Sequence, residues 1–183
     1  CEALDNLKSL ELRGCKLEDA GLRRMHANPG WQSLEKVNLT GSDLSVELLP
    51  QLFEWMAERP VRALRLHEAV YEEFDPASLV RSGLAGQLHA LKLGYMSFDL
   101  SALRALLRPE VCPELRALDL SGTDALLDWS QEFSLEEFVA TIELEHLESL
   151  VLADLELTDE MVEPLWRAPW FGQIHSLDLS WNS

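Results

Sequence analysis

The sequence predicts an α/β solenoid: a horseshoe arc with a parallel β-sheet on its concave face and α-helices on its convex face. Three observations predict it. A six-residue frame recurs seven times in phase: a leucine-type residue, two others, an aliphatic, one other, then a leucine. The core of each frame alternates apolar and polar, the period of a strand buried on one face. Between frames lie stretches with helical periodicity and helix start signals.

The frames read "LKSLEL" from Leu7, "LEKVNL" from Leu34, "VRALRL" from Val61, "LHALKL" from Leu88, "LRALDL" from Leu115, "LESLVL" from Leu147 and "IHSLDL" from Ile174. Their spacings are 27, 27, 27, 27, 32 and 27 residues. In the first, Leu10 and Leu12 alternate with Ser9, Glu11 and Arg13, giving a short strand. Asp19 then reads as the cap of a helix carrying Leu22 and Met25 and ended by Pro29-Gly30. In the second, Ser45 precedes a helix whose face is Leu48, Leu49, Leu52, Phe53 and Met56, closed by Pro60. In the third, Asp75-Pro76 is a capping residue with proline at the first helical position. In the fifth, Ser134 to Glu137, "SLEE", fits a capping box. Each unit is therefore strand, turn, helix and return loop. No unit can bury its apolar face alone, and stacking the units does so.

The stretches "LKSLELRGCKL", "LRALDLSGTDA" and "HSLDLSWNS" resemble leucine-rich repeats. Their length of about 27 residues and their full helices resemble the ribonuclease-inhibitor-like class. "CKLEDAGLRRM" is similar to that class's run of a polar turn position, leucine, Asp, Gly and helix. The resemblance covers residues 7–183 and implies fold far more than function. At the motif's Asn/Cys turn position this chain has Cys15, Ser42, Ala69, Met96, Thr123, Leu155 and Asn182. Ala69, Met96 and Leu155 have no side chain to tie adjacent turns, so backbone or water must do so and a less regular middle is expected. Cys15 is expected to be a buried structural thiol.

Residues 1–183 read as one array of about seven units, starting near 7, 34, 61, 88, 115, 147 and 174, the last incomplete. The seventh stops after its strand and turn, and neither end carries a polar cap. The chain is thus expected to be a fragment of a longer protein. The fifth unit is longer because of residues within "DALLDWSQEF", 124–133, whose Leu127, Trp129 and Phe133 are expected to pack on the helix layer.

Composition narrows the function classes. The formal charge is −17. Residues 1–116 carry 17 acids and 14 bases, whereas 117–166 carry 14 acids and no Lys or Arg. Nucleic-acid binding is disfavoured, because phosphate contacts need clustered bases. No apolar run approaches a membrane span and no N-terminal signal pattern appears. The three cysteines suggest neither disulfide framework nor zinc site, so the cytoplasm is the expected compartment. The sequon at Asn38 falls within a strand and is read as coincidence. Phosphate loops, GxSxG and HExxH are absent. His26, His67, His89, His146 and His175 are dispersed, and Asp124, Asp128 and Glu132 do not have calcium-loop spacing. No enzyme activity, metal or cofactor is expected.

What remains is a binding surface. Alternation sends the residues between the central aliphatics outward: Glu11, Asn38, Arg65, Lys92, Asp119, Val151 and Asp178. Two positions on come Arg13, Thr40, His67, Gly94, Ser121, Ala153 and Ser180, then Gly14, Gly41, Glu68, Tyr95, Gly122, Asp154 and Trp181. Arg62, His89 and Arg116 add a flank. Basic and aromatic residues thus gather mid-sheet, while later units project Asp119, Asp154 and Asp178. Arg65 beside Lys92 sets like charges side by side, a cost unless a ligand or Glu68 offsets it. Cross-strand pairing with Asn38 or Asp119 is the competing account. Tyr95 and Trp181 fill a position that is glycine in three other units. The sequence therefore predicts a non-catalytic protein–protein interaction scaffold whose partner-binding residues are Arg65, His67, Lys92, Tyr95 and Trp181. The partner is a protein of acidic or mixed charge, and the chain is a monomer or a segment held in a larger chain. The alternatives are a spacer in a larger protein, or docking of a basic partner on the acidic segment 117–166.

Overall fold

The computed structural model describes residues 6–27, 31–123, 138–140 and 142–183. Seven strands form one parallel sheet in chain order: β1 (Ser9–Glu11), β2 (Lys36–Asn38), β3 (Ala63–Arg65), β4 (Ala90–Lys92), β5 (Ala117–Asp119), β6 (Ser149–Val151) and β7 (Ser176–Asp178). Leu10 faces Val37, Leu64 faces Leu91, Leu118 faces Leu150 and Leu150 faces Leu177, so each frame's aliphatic meets its counterpart. The register runs unbroken through Ala69 and Met96, where a less regular stack was expected. Both side chains, like Leu155, are buried and extend the core. They replace a hydrogen bond with apolar contact.

Helices α1 (Asp19–His26), α2 (Leu49–Ala57), α3 (Ala77–Arg81), α4 (Leu100–Leu106) and α5 (Asp159–Arg167) follow β1, β2, β3, β4 and β6. The helices cover the buried face of the sheet, with α2 against α3 and α3 against α4. Leucines from successive strands, among them Leu39, Leu66, Leu93, Leu120 and Leu152, are fully buried between the layers. Phe53, Phe74 and Phe98 stack edge to face through three units, with centroids 6.2 and 6.3 Å apart.

Local chemistry sets the helix starts. Asp75 Oδ1 accepts the Ala77 N–H at 2.9 Å, as expected of a residue that opens the helix, but Pro76 holds the capping position and the first helical residue is Ala77. Ser45 accepts from the Glu47 N–H, opening a 3₁₀ turn, Val46–Leu48, that runs into α2. Leu48 is consequently only half-buried at the junction, while Trp55, absent from the expected face, is buried. The Arg59 guanidinium covers the Trp55 ring at 4.0 Å. The expectation for α1 needs correction: Glu18, not Asp19, holds the capping position, and the Glu18 side chain makes no capping bond. Asp99 and Thr158 are caps the sequence reading did not single out; they accept the Ser101 and Met161 N–H groups. The Pro29-Gly30 stop, the Ser134–Glu137 box and the inserted Asp124, Leu127, Asp128, Trp129, Glu132 and Phe133 lie outside the described residues.

The polar turn position works where its chemistry allows. Ser42 Oγ donates to the Leu12 carbonyl of the preceding unit at 2.7 Å. Asn182 Nδ2 donates to Leu152 and Leu179 carbonyls, and its Oδ1 accepts from the Leu155 and Leu157 N–H groups. Cys15 departs from expectation: its thiol is exposed. Among the described residues no earlier turn lies before it, so it reaches only its own unit's Arg13 carbonyl.

Asn182→Ala strips two backbone N–H groups of their acceptor at once. The expected cost is about 2 kcal/mol, seen as a lower urea midpoint. Faster amide exchange at Leu155 and Leu157 should accompany it, while amides of β2 and β3 stay unchanged.

Candidate functional site: the exposed sheet face and its rim

Each strand ends in a turn that leaves the sheet through a left-handed residue. Gly14, Gly41 and Gly122 have φ of 62°, 61° and 56°. At the same position in the other units stand Glu68 (51°), Tyr95 (55°), Asp154 (56°) and Trp181 (62°). Left-handed backbone costs an L-residue about 1–2 kcal/mol, and for bulky side chains it is an outlier. At six of these seven positions the conformation accompanies cross-unit bonding. Gly14 N–H donates to Thr40 O, Gly41 to His67 O, Glu68 to Gly94 O, Tyr95 to Ser121 O, Gly122 to Ala153 O and Asp154 to Ser180 O, at 2.7–3.0 Å. The ladder therefore continues past the strands, and these positions form a straight rim at strand spacing.

Tyr95 lies along this rim. Its ring meets the His67 ring edge to face, centroids 4.9 Å apart. It then crosses Gly122, where a Cβ would sit 2.5 Å from Tyr95 Cε1. Its hydroxyl donates to Asp154 Oδ2 at 2.5 Å. That bond, with partial burial, raises the Tyr95 hydroxyl above the ordinary phenol value. Gly94 gives matching clearance, since a Cβ there would lie 2.6 Å from both His67 Nδ1 and Ser121 Oγ. Tyr95 remains 43% exposed and Trp181 85% exposed.

The sheet face inside the rim divides differently from its sequence. Lys92 Nζ donates to Asp119 Oδ2 at 2.8 Å, their side chains 38% and 10% exposed. Asp119 Oδ1 also accepts from the Ser121 N–H and hydroxyl. Burial alone would raise the Asp119 carboxyl; the Lys92 ammonium and the Ser121 donors outweigh it and hold it below the usual carboxylate range. Asn38 clamps Thr40 in the same way and donates to Glu11. Asp178 Oδ1 accepts from the Ser180 N–H, and the Ser180 hydroxyl together with that N–H lowers its carboxyl too. Asp119 is therefore a turn-holding residue, not a projecting acid.

Of the five site residues expected from sequence, the structure brings His67 and Tyr95 into contact. Lys92 stands on the neighbouring row but is neutralised by Asp119, so Asp119, not Glu68 or a ligand, relieves the Arg65–Lys92 repulsion. Arg65 is exposed and, among the described residues, has no ion-pair partner. Trp181 lies three strands from Tyr95 and belongs to the rim, not to the central cluster. Asp154, expected to project as an acid, also accepts from the Tyr95 hydroxyl, 59 residues away in sequence, a contact that alternation alone does not predict. The signal lay in Gly122, the gap between them. Elsewhere Cys112 is buried and its thiol is pushed up to about 12 by burial, which leaves it protonated at neutral pH. Among the described residues no His, Cys, Asp and Glu group is placed to hold a metal ion, and no helix is long and apolar enough to cross a membrane.

The seven-stranded open sheet with helices between its strands is an α/β repeat solenoid, and leucine-rich repeats, which build such solenoids, generally serve as protein-interaction scaffolds. A family model described as "Leucine Rich repeat" matches residues 4–25, the first unit. No curated protein matches the chain.

Two variants separate structural from functional demands. Trp181→Gly removes a strained residue whose ring makes no aromatic contact among the described residues. We expect it to stabilise the fold by about 0.5–1 kcal/mol after glycine's entropy is counted, read as a higher melting temperature. Lys92→Met leaves Asp119 buried beside no cation, at a cost of about 1–2 kcal/mol at pH 7, below the fully buried case because Lys92 is partly solvated. Asp119's depressed value means its stabilisation is present above the unfolded value, about 3.9, and is lost as pH falls through the folded one. The deficit of Lys92→Met, followed by urea midpoints, should therefore shrink below about pH 4.

Proposed function

We propose that this chain is a non-catalytic protein–protein interaction scaffold of the ribonuclease-inhibitor-like class, with repeats of about 27 residues, and that it takes its partner on the concave, exposed face of the sheet. Arg65, His67 and Tyr95 form the centre of that surface and Trp181 its far end. Lys92 contributes as the cover over Asp119. The observation that supports the reading best is the placement of Tyr95 and Trp181. Both hold aromatic side chains toward solvent from a backbone conformation that favours glycine. Strain of this kind clusters where a side chain serves binding, and Tyr, Trp and Arg are the residue types that anchor interfaces.

The reading is tested by site-specific photocrosslinking in the full-length protein. A photoreactive residue at position 65 or 95 should capture the partner, and the same residue at Glu54, exposed on α2 across the molecule, should not. Arg65→Glu combined with Tyr95→Ala should weaken the captured partner's affinity by at least about tenfold, the effect of two anchor residues. Capture at Glu54 alone, or unchanged affinity of the double variant, would refute the site.

A further inference from the structure

Taken together, the rim residues from β3 to β7 read Glu68, Tyr95, Gly122, Asp154, Trp181. Two carboxylates alternate with two aromatic rings, and all four side chains are exposed. We propose that this rim is a docking strip for a basic, extended segment of a protein partner. A Lys or Arg side chain sits over Asp154 between Tyr95 and Trp181, and a second sits at Glu68. The proposal rests on the reading that the exposed sheet face binds a protein, and it specifies the chemistry of what binds.

The register builds the main seat. Val151 faces Asp178 across β6 and β7, and the Asp154 N–H donates to Ser180 O at 3.0 Å. Asp154 and Trp181 are therefore side by side. The Tyr95 hydroxyl arrives at Asp154 from the other side, through the clearance Gly122 provides. One carboxylate oxygen is held by Tyr95, and among the described residues no cation pairs with Asp154. A carboxylate flanked by two aromatic rings meets both needs of an ammonium or guanidinium: ionic pairing and the negative face of a ring. An acidic or apolar side chain would gain neither.

Charge and geometry agree on the occupant. Residues 117–166 carry 14 acids and no base, so a basic segment is drawn to this end of the sheet. Arg65, which has no ion-pair partner among the described residues, lies on β3, away from Asp154. Glu68 and Asp154 are three strand spacings apart, about 14 Å. An extended chain rises about 3.3 Å per residue and shows alternate side chains on one side. Two basic residues four positions apart therefore reach both carboxylates from the same side.

The experiment titrates isotope-labelled protein with three synthetic probes: acetyl-GKGGGKG-amide, the same peptide with the lysines adjacent, and its glutamate counterpart. Resonances of the Trp181 indole and the Asp154 amide report binding. The four-apart peptide should bind tightest, with affinity falling between about 0.05 and 0.5 M salt. Asp154→Asn, which the left-handed position accommodates, and Trp181→Gly should each weaken it about three- to fivefold, and Glu54→Gln, on α2, should not. Equal binding by Asp154→Asn, preference for the glutamate peptide, or no binding to the rim would overturn the proposal. Crosslinking at positions 65 and 95 with no basic peptide on the rim would end this inference alone. Absence of both would end the parent reading as well.

Discussion

The structure depends on one repeated constraint, the lateral bonding of each unit to the next. The ladder does not stop where the strands do. It continues into the turns, where a residue with positive φ still donates its N–H to the next unit. Six such bonds, from Gly14 to Asp154, hold the turns in line. Core leucines can meet across the strands only if every turn is spent the same way. Glycine satisfies this position at least cost, and the chain uses it at residues 14, 41 and 122.

That constraint gives the other four rim residues their meaning. Asp at a left-handed position is ordinary, because its short polar side chain tolerates it. Glu68 is less so, and Tyr95 and Trp181 are costly. Tyr95 recovers part of the cost through His67 and Asp154, yet its ring still faces solvent. Among the described residues Trp181 has no comparable contact. A side chain that stability would remove, set where the backbone resists it and pointed outward, is explained by recognition better than by folding.

The fold was legible because its determinants are local and repeated. Leu10, Leu64 and Leu118 each announce a strand by alternation, and their spacing announces the register. Asp75-Pro76 announced a helix start for the same reason. The site was less legible because its determinants are contacts between units. Alternation placed Arg65, Lys92 and Asp119 on one face, but it could not say that Lys92 turns to Asp119 while Arg65 stays free. It placed Tyr95 and Asp154 in one row without showing that a glycine between them lets the ring lie down. Cys15 misled for a related reason: its motif position is buried only when an earlier turn covers it. In each case sequence gave a residue its row, and neighbours decided its partner.

Asp119 shows how far that decision reaches. A carboxylate on the open face of a sheet reads as a binding acid. Here it is 7% exposed, because Ser121 holds one oxygen and Lys92 closes over the other. The same pair removes the basic residue adjacent to Arg65 from the surface's free charge. Lys92 and Asp119 thereby neutralise each other, while Arg65 beside them keeps its charge. A partner docked on this face, as proposed above, would gain ionic energy where its charges coincide with those left unpaired, and would gain little from the Lys92–Asp119 pair.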